Sequence, residues 1–156
     1  MKSKTCCFTG HRQLPEKEQA IIKRKLENSV ESLIQNGYLY FGAGGAIGFD
    51  TLAAQTVLRL QKKYPLIKLI LVLPCVSQAD RWAPADKMTY HEIMKQANKV
   101  VYTSQIYTKD CMFKRNRHLV NYSSACICYL NRSTGGTAYT VDYAHKCGLQ
   151  IINIAE

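Results

Sequence analysis

The sequence contains no apolar run near the ~18 residues that a membrane-crossing helix needs, so no bilayer partner is expected. Its first residues, MKSKTCCFTGHR, hold no apolar stretch followed by a small-residue cleavage site, so no secretory signal is read and a cytoplasmic location is expected. There is no Cys-x-x-Cys pair and no Cys/His set at zinc spacing among the seven cysteines, which excludes a recognisable metal site. Buried, reduced thiols are the reading, because a cytosolic chain does not keep a disulfide framework. No Gly-Lys-Ser/Thr follows any glycine turn, so the chain has no P-loop. Acidic residues are scarce: 11 Asp and Glu stand against 21 Lys and Arg, a formal charge of +10. That balance favours an anionic partner, a nucleotide or a nucleic acid. The cations are spread along the chain, however, and the Lys23-Arg24-Lys25 cluster also fits a plain solvated surface.

What the chain does have is an alternation. Its 156 residues, 47% hydrophobic and 21% charged, fit one globular domain over residues 1–156. Short apolar runs at Thr5–Phe8, Tyr38–Phe41, Ile67–Leu73, Val100–Tyr102, Ala125–Leu130 and Ile151–Ile154 read as strands. Between them lie helical stretches. The first begins after Pro15 and carries Ile22, Leu26, Val30, Leu33 and Ile34 on one stripe. The others cover Phe49–Lys63, Ala79–Ala97 with an interruption at Pro84, Lys109–Ser124, and a last helix ending at Gly148. IKLILVL at Ile67–Leu73 is apolar on both faces, as parallel strands between helix layers are. The expected fold is α/β: a Rossmann-like three-layer sandwich around a mostly parallel sheet of about six strands.

In such sheets ligands bind at the carboxyl ends of the strands. Three loops follow strands and should share that edge: Thr9–Arg12, Gly42–Gly48 and Arg132–Thr137. In the second, Gly42, Gly44, Gly45 and Gly48 lead into a helix, where orphan backbone N–H groups and the helix dipole favour phosphate. A tight turn serving helix–sheet packing fits the same residues. The glycine spacing is not the dinucleotide fingerprint, which needs Gly-x-Gly-x-x-Gly after the first strand. Asp50 could accept N–H bonds within the loop. Gly135-Gly136-Thr137 offers the same phosphate chemistry, with Thr137 able to cap the helix and present a hydroxyl. Gly10-His11-Arg12 adds an imidazole, either an acid/base group or a hydrogen-bonding loop histidine, and a forked guanidinium donor. Arg115 and Asn116 could point into the cleft from their helix. Gln78 and Trp82 follow the third strand; Trp82 could stack on a base or pack between helices.

Taken together, these residues resemble a known family. Cys7–Arg12, Gly44-Gly45-Ala46-x-Gly48-x-Asp50, Pro74-Cys75 with Gln78 and Trp82, Tyr107 with Cys111-Met112, Arg115-Asn116 and Gly135-Gly136-Thr137 look like the YpsA-type family of the SLOG superfamily. The resemblance covers essentially the whole chain in order. It implies a Rossmann-like fold and a ligand that is a nucleotide or an ADP-ribose-like molecule, and by family likeness a homodimer. The segments Gly44–Asp50 and Arg115-Asn116-Arg117 are also similar to DNA-processing protein A, which keeps nucleic acid as an alternative partner.

The related cytokinin-activating phosphoribohydrolases carry Gly-Gly-x-Gly-Thr-x-x-Glu. Here Gly136-Thr137 is followed by Ala138-Tyr139-Thr140, and the next acid is Asp142. A sugar cation needs a positioned carboxylate, which Thr140 cannot supply. The reading is therefore a binding protein of sensor or regulatory type. It has no assigned catalytic residue, cofactor or metal, and a phosphoribohydrolase using Asp50 or Asp142 is the enzymatic alternative.

Overall fold

A computed structural model describes residues Met1–Glu156. All six strands lie in one sheet: β1 (Thr5–Gly10), β2 (Tyr40–Ala43), β3 (Lys68–Leu73), β4 (Lys99–Tyr102), β5 (Ala125–Tyr129) and β6 (Gln150–Asn153). The sheet order is β4-β3-β2-β1-β5-β6. Every neighbouring pair is parallel. The sheet grows from β1 in one direction through β2, β3 and β4, then restarts on the other side of β1 with β5. That reversal is the switch point at which open parallel sheets form a crevice. This is the expected α/β architecture, with a sheet that is wholly parallel.

The connections are the helices α1 (Gln19–Gln35), α2 (Phe49–Leu60), α3 (Pro84–Gln96), α4 (Cys111–Asn121) and α5 (Gly136–Lys146). Strand side chains alternate between two apolar layers, as the two-residue period of a strand dictates. Cys6, Phe8, Leu69, Leu71, Leu73 and Ile127 join α1 and α2 in the larger core. Cys7, Val72, Cys126 and Cys128 face the other way, toward Leu119 and Val120 of α4 and Ala144 of α5. In the larger core the Phe8 ring lies 6.3 Å from Phe41 and 6.5 Å from Phe49. Six of the seven cysteines are buried, and all seven are free thiols.

The boundaries differ from the sequence reading in instructive places. β1 runs on to Gly10 because its pairing with β5 continues through Gly10 opposite Tyr129. α1 starts at Gln19, not just after Pro15, since Glu16–Glu18 first make a 3-10 turn. Pro84 does not interrupt a helix: it is the first residue of α3, where its missing N–H costs no intrahelical bond. No helix is long and apolar enough to cross a membrane.

Candidate functional site

β2, β1 and β5 are neighbours, so their carboxyl-end loops converge. Between them is a cleft of about 470 Å³, floored by β1 and walled by α4 and α5. Nine of the residues anticipated from the sequence line it: Gly10, His11, Arg12, Asp50, Arg115, Asn116, Gly135, Gly136 and Thr137. Five do not: Gly44, Gly45 and Gly48 lie beneath or beside it, and Gln78 and Trp82 stand off it. A cavity of similar size, about 460 Å³, lies on the α4 side of the sheet among Tyr40, Ile70, Val72, Val101, Leu119 and His118. It collects none of the strand-end loops.

The glycine loop after β2 is filled by the protein itself. The Asp50 carboxylate accepts the Ala46 N–H at 3.3 Å. The first amide of α2, Phe49 N–H, donates to the His11 carbonyl at 3.1 Å. Gly48 takes φ +81°, and a Cβ there would stand 2.2 Å from the Arg12 carbonyl oxygen. The loop after β1 thus presses on the N-terminus of α2, which is why only glycine fits. The Gly44 carbonyl accepts from Arg115 Nη1 and, at 3.4 Å, from Gln78 Nε2. Gln78 also donates to the Tyr90 hydroxyl at 3.4 Å. Trp82 packs edge-on to Tyr90, centroids 5.1 Å apart, against the larger core. That contact is of the kind expected for the packing alternative.

The loop after β5 is the opposite case. Gly135 precedes α5 with φ +103°, and no side-chain hydrogen bond caps the helix. A Cβ on Gly135 or Gly136 would meet nothing within 4 Å. Thr137 is therefore not the cap that the sequence suggested; it lies inside α5, behind an open turn. Gly136 and Thr137 of this first turn line the cleft, where the amides that open a helix lack intrahelical acceptors and the dipole is positive.

Three guanidiniums surround that opening. Arg12 and Arg132 are exposed at the cleft mouth, while Arg115 is only 5% exposed in its floor. Arg115 Nε donates to Asn116 Oδ1 at 2.7 Å, which turns the Asn116 amide nitrogen free. Burial lowers the Arg115 pKa, with Asp50 pulling it back up. Burial raises the Asp50 pKa against the opposing pull of Arg115, the Ala46 amide and Arg12. His11 is buried, 5.9 Å edge-on from the Tyr129 ring, and its Nε2 accepts the Asn131 N–H at 3.3 Å. Burial, then the charge of Arg132, lowers its pKa. Its ring thus takes the hydrogen-bonding role, one of the two expected for it. Arg132 was absent from the anticipated set, although it sits in the loop that the sequence singled out; an exposed arginine carries no signal of which way its loop turns.

Asp50 is the sole carboxylate among the cleft-lining residues. Thr140, where the phosphoribohydrolases carry Glu, is buried and donates to the Gly136 carbonyl at 2.9 Å. Asp142 pairs with Lys146 at 2.9 Å on the solvent face of α5 and does not line the cleft. Of the two acids named for the enzymatic alternative, Asp50 lines the cleft.

A wholly parallel sheet with a polar cleft at its switch point defines a Rossmann-like α/β protein. The chain belongs to the family described as the YspA SLOG family (YpsA), which it matches over residues 6–151. It is 30% identical over 138 residues to the SPbeta prophage-derived protein YoqJ of Bacillus subtilis, covering 80% of this chain and 81% of that protein. It is 28% identical over 128 residues to a UPF0398 protein of Halalkalibacterium halodurans, covering 80% of this chain and 68% of the relative. Among solved structures, DNA processing protein A from Streptococcus pneumoniae superposes with a TM-score of 0.67 at 18% identity. The match covers 96% of this chain but only 50% of that one. DNA processing protein A from Helicobacter pylori, described for its single-stranded DNA binding mode, gives 0.67 at 19% identity over 96% of this chain and 64% of its own. These likenesses establish a shared fold.

Proposed function

We propose that the cleft binds a nucleotide or nucleotide-derived phosphorylated ligand, in a sensing or regulatory role and not a catalytic one. The observation that carries this reading is the uncapped N-terminus of α5 at Gly135–Thr137, open to a cleft that also holds Arg12, Arg115 and Arg132. Unpaired amides, a helix dipole and guanidinium forks are the donors a phosphate needs. His11 adds a hydrogen-bonding imidazole to the cleft lining. A regulatory role is supported by the carboxylate inventory, since Thr140 replaces the acid and Asp142 is paired in solvent. Calorimetric titration with nucleoside monophosphates, diphosphates and ADP-ribose tests the reading. Binding should weaken about tenfold in Arg132→Ala, as expected for a charge-assisted hydrogen bond. Absence of binding at millimolar ligand would exclude it. Release of free base from a nucleoside monophosphate, abolished by Asp50→Asn, would instead establish the enzymatic alternative.

A second reading is supported by the +10 charge and by the likeness to the two DNA processing proteins. Here the same cleft holds the phosphates of a single-stranded nucleic acid. Its affinity should then fall steeply with salt. A gel shift that is absent even at low ionic strength removes this reading and leaves the first intact.

A further inference from the structure

The phosphate end of the cleft has its donors, but nothing so far described reads a base. Trp82 is committed to Tyr90 and the larger core. A different aromatic pair stands just outside the cleft-lining residues, on the two helices that wall it. Phe113, in the first turn of α4, and Tyr139, in the first turn of α5, meet edge to face with centroids 4.9 Å apart and planes at 77°. Their positions follow from the helices. Tyr139 N–H donates to the Gly135 carbonyl at 3.0 Å, so its backbone sits one turn along α5 from the open amides. Phe113 directly follows Met112 and is one turn before Asn116, both of which line the cleft. The pair is not buried: Phe113 is 39% and Tyr139 41% exposed.

Two rings near a right angle form a corner. A planar base can lie on the face of one ring and meet the edge of the other, the arrangement that aromatic quadrupoles favour. The mononucleotide geometry fits, because phosphate at Gly135–Thr137 and base at Tyr139 are separated by about one helical turn, ~5 Å along the axis. We propose that Phe113 and Tyr139 are the base-stacking corner of this site, so that its ligand carries a nucleobase as well as a phosphate. The inference rests on the phosphate-binding reading above and names the second half of the ligand. Stacking is tolerant of base identity, since every base has a π-face.

The test compares adenosine monophosphate with ribose 5-phosphate, by calorimetry, on the wild type and on Phe113→Ala/Tyr139→Ala. The wild type should bind the nucleotide about tenfold more tightly than the base-free sugar phosphate. In the double variant the two affinities should converge, with that for ribose 5-phosphate unchanged. Tyr139→Phe keeps the ring and should keep the preference, whereas Tyr139→Leu keeps bulk and should lose most of it. Nuclear Overhauser contacts from adenine H2 and H8 to the two rings give a readout that needs no variant. A nucleotide preference that survives in a folded double variant overturns the corner and leaves the phosphate site standing. Equal wild-type affinity for the two probes does the same. No binding of either probe overturns both readings together.

Discussion

The loops after β2 and β5 have nearly the same chemistry in sequence: glycines at a strand end, then a helix. In the fold they end differently. After β2, the carbonyl of His11 takes the first amide of α2, Asp50 takes the Ala46 amide, and Arg115 takes the Gly44 carbonyl. After β5, no neighbouring carbonyl takes the first amide of α5 and its glycines face open space. One loop is a packed joint, the other an open donor surface. Glycine content alone does not make an anion site; the amides must also be left without an internal partner. The β2 loop still matters to the cleft, because it fixes Arg115 and Asp50 in the floor.

The contrast can be broken most severely at Gly48. Placing alanine at φ +81°, with its Cβ against the Arg12 carbonyl, adds backbone strain to a steric clash and should cost about 4 kcal/mol or more. Gly136→Ala, facing open space, should stay within about 0.5 kcal/mol of the wild type. Urea unfolding of the two variants measures the difference, and equal costs would refute the division into joint and opening.

Arg115→Met should come next. It leaves the buried Gly44 carbonyl without its guanidinium donor and removes the Arg115 charge that opposes the rise of the Asp50 pKa, at about 2 kcal/mol. Arg115→Lys keeps the charge but not the fork that reaches both Gly44 and Asn116, so its denaturation midpoint should fall between those of Met and wild type.

Gly136→Asp separates stability from binding. A carboxylate in the first turn of α5 should stabilise the helix by about 0.5 kcal/mol while repelling the phosphate of a ligand. Thermal melting should move slightly upward, and nucleotide affinity should fall about tenfold or more. A drop in both would mean that the open turn has a structural partner after all.

The smallest effect concerns Asp50. Its folded pKa is raised by burial, so its contribution to stability is fully present below the unfolded carboxylate pKa of about 4 and is lost as pH rises through the folded value. Compared with Asp50→Asn, the wild type should therefore look least favourable at neutral pH and recover toward pH 4. Denaturation midpoints of both proteins at several pH values check the sign; a wild-type advantage that grows with pH contradicts it.

Much of this was legible in the chain. The strand–helix alternation, the three strand-end loops and the helix that carries Arg115 and Asn116 follow from local pattern. IKLILVL announced a strand buried on both faces. What was not legible shares one cause. Trp82 follows a strand end, which leaves stacking and packing both open, and its edge-on contact with Tyr90 of α3 is visible only in the fold. Thr137 was read as a cap from residue type, though the turn places Gly135 at that position. Phe113 and Tyr139 drew no notice because they lie 26 residues apart on two helices, and nothing local to either says that they meet.

Sequence by itself determined that this chain folds as a parallel α/β sheet and which glycine stretches reach its ligand-binding edge. Continuous apolar runs, helical apolar stripes and turn residues are local properties, and they suffice for that. Tertiary structure decided which of those stretches remains available. Whether an amide at a helix start is free depends on what the neighbouring loop places against it. For the run Gly42–Gly48 that neighbour is the β1 loop, whose His11 carbonyl takes the first amide of α2; for Gly135 and Gly136 the space beyond is open.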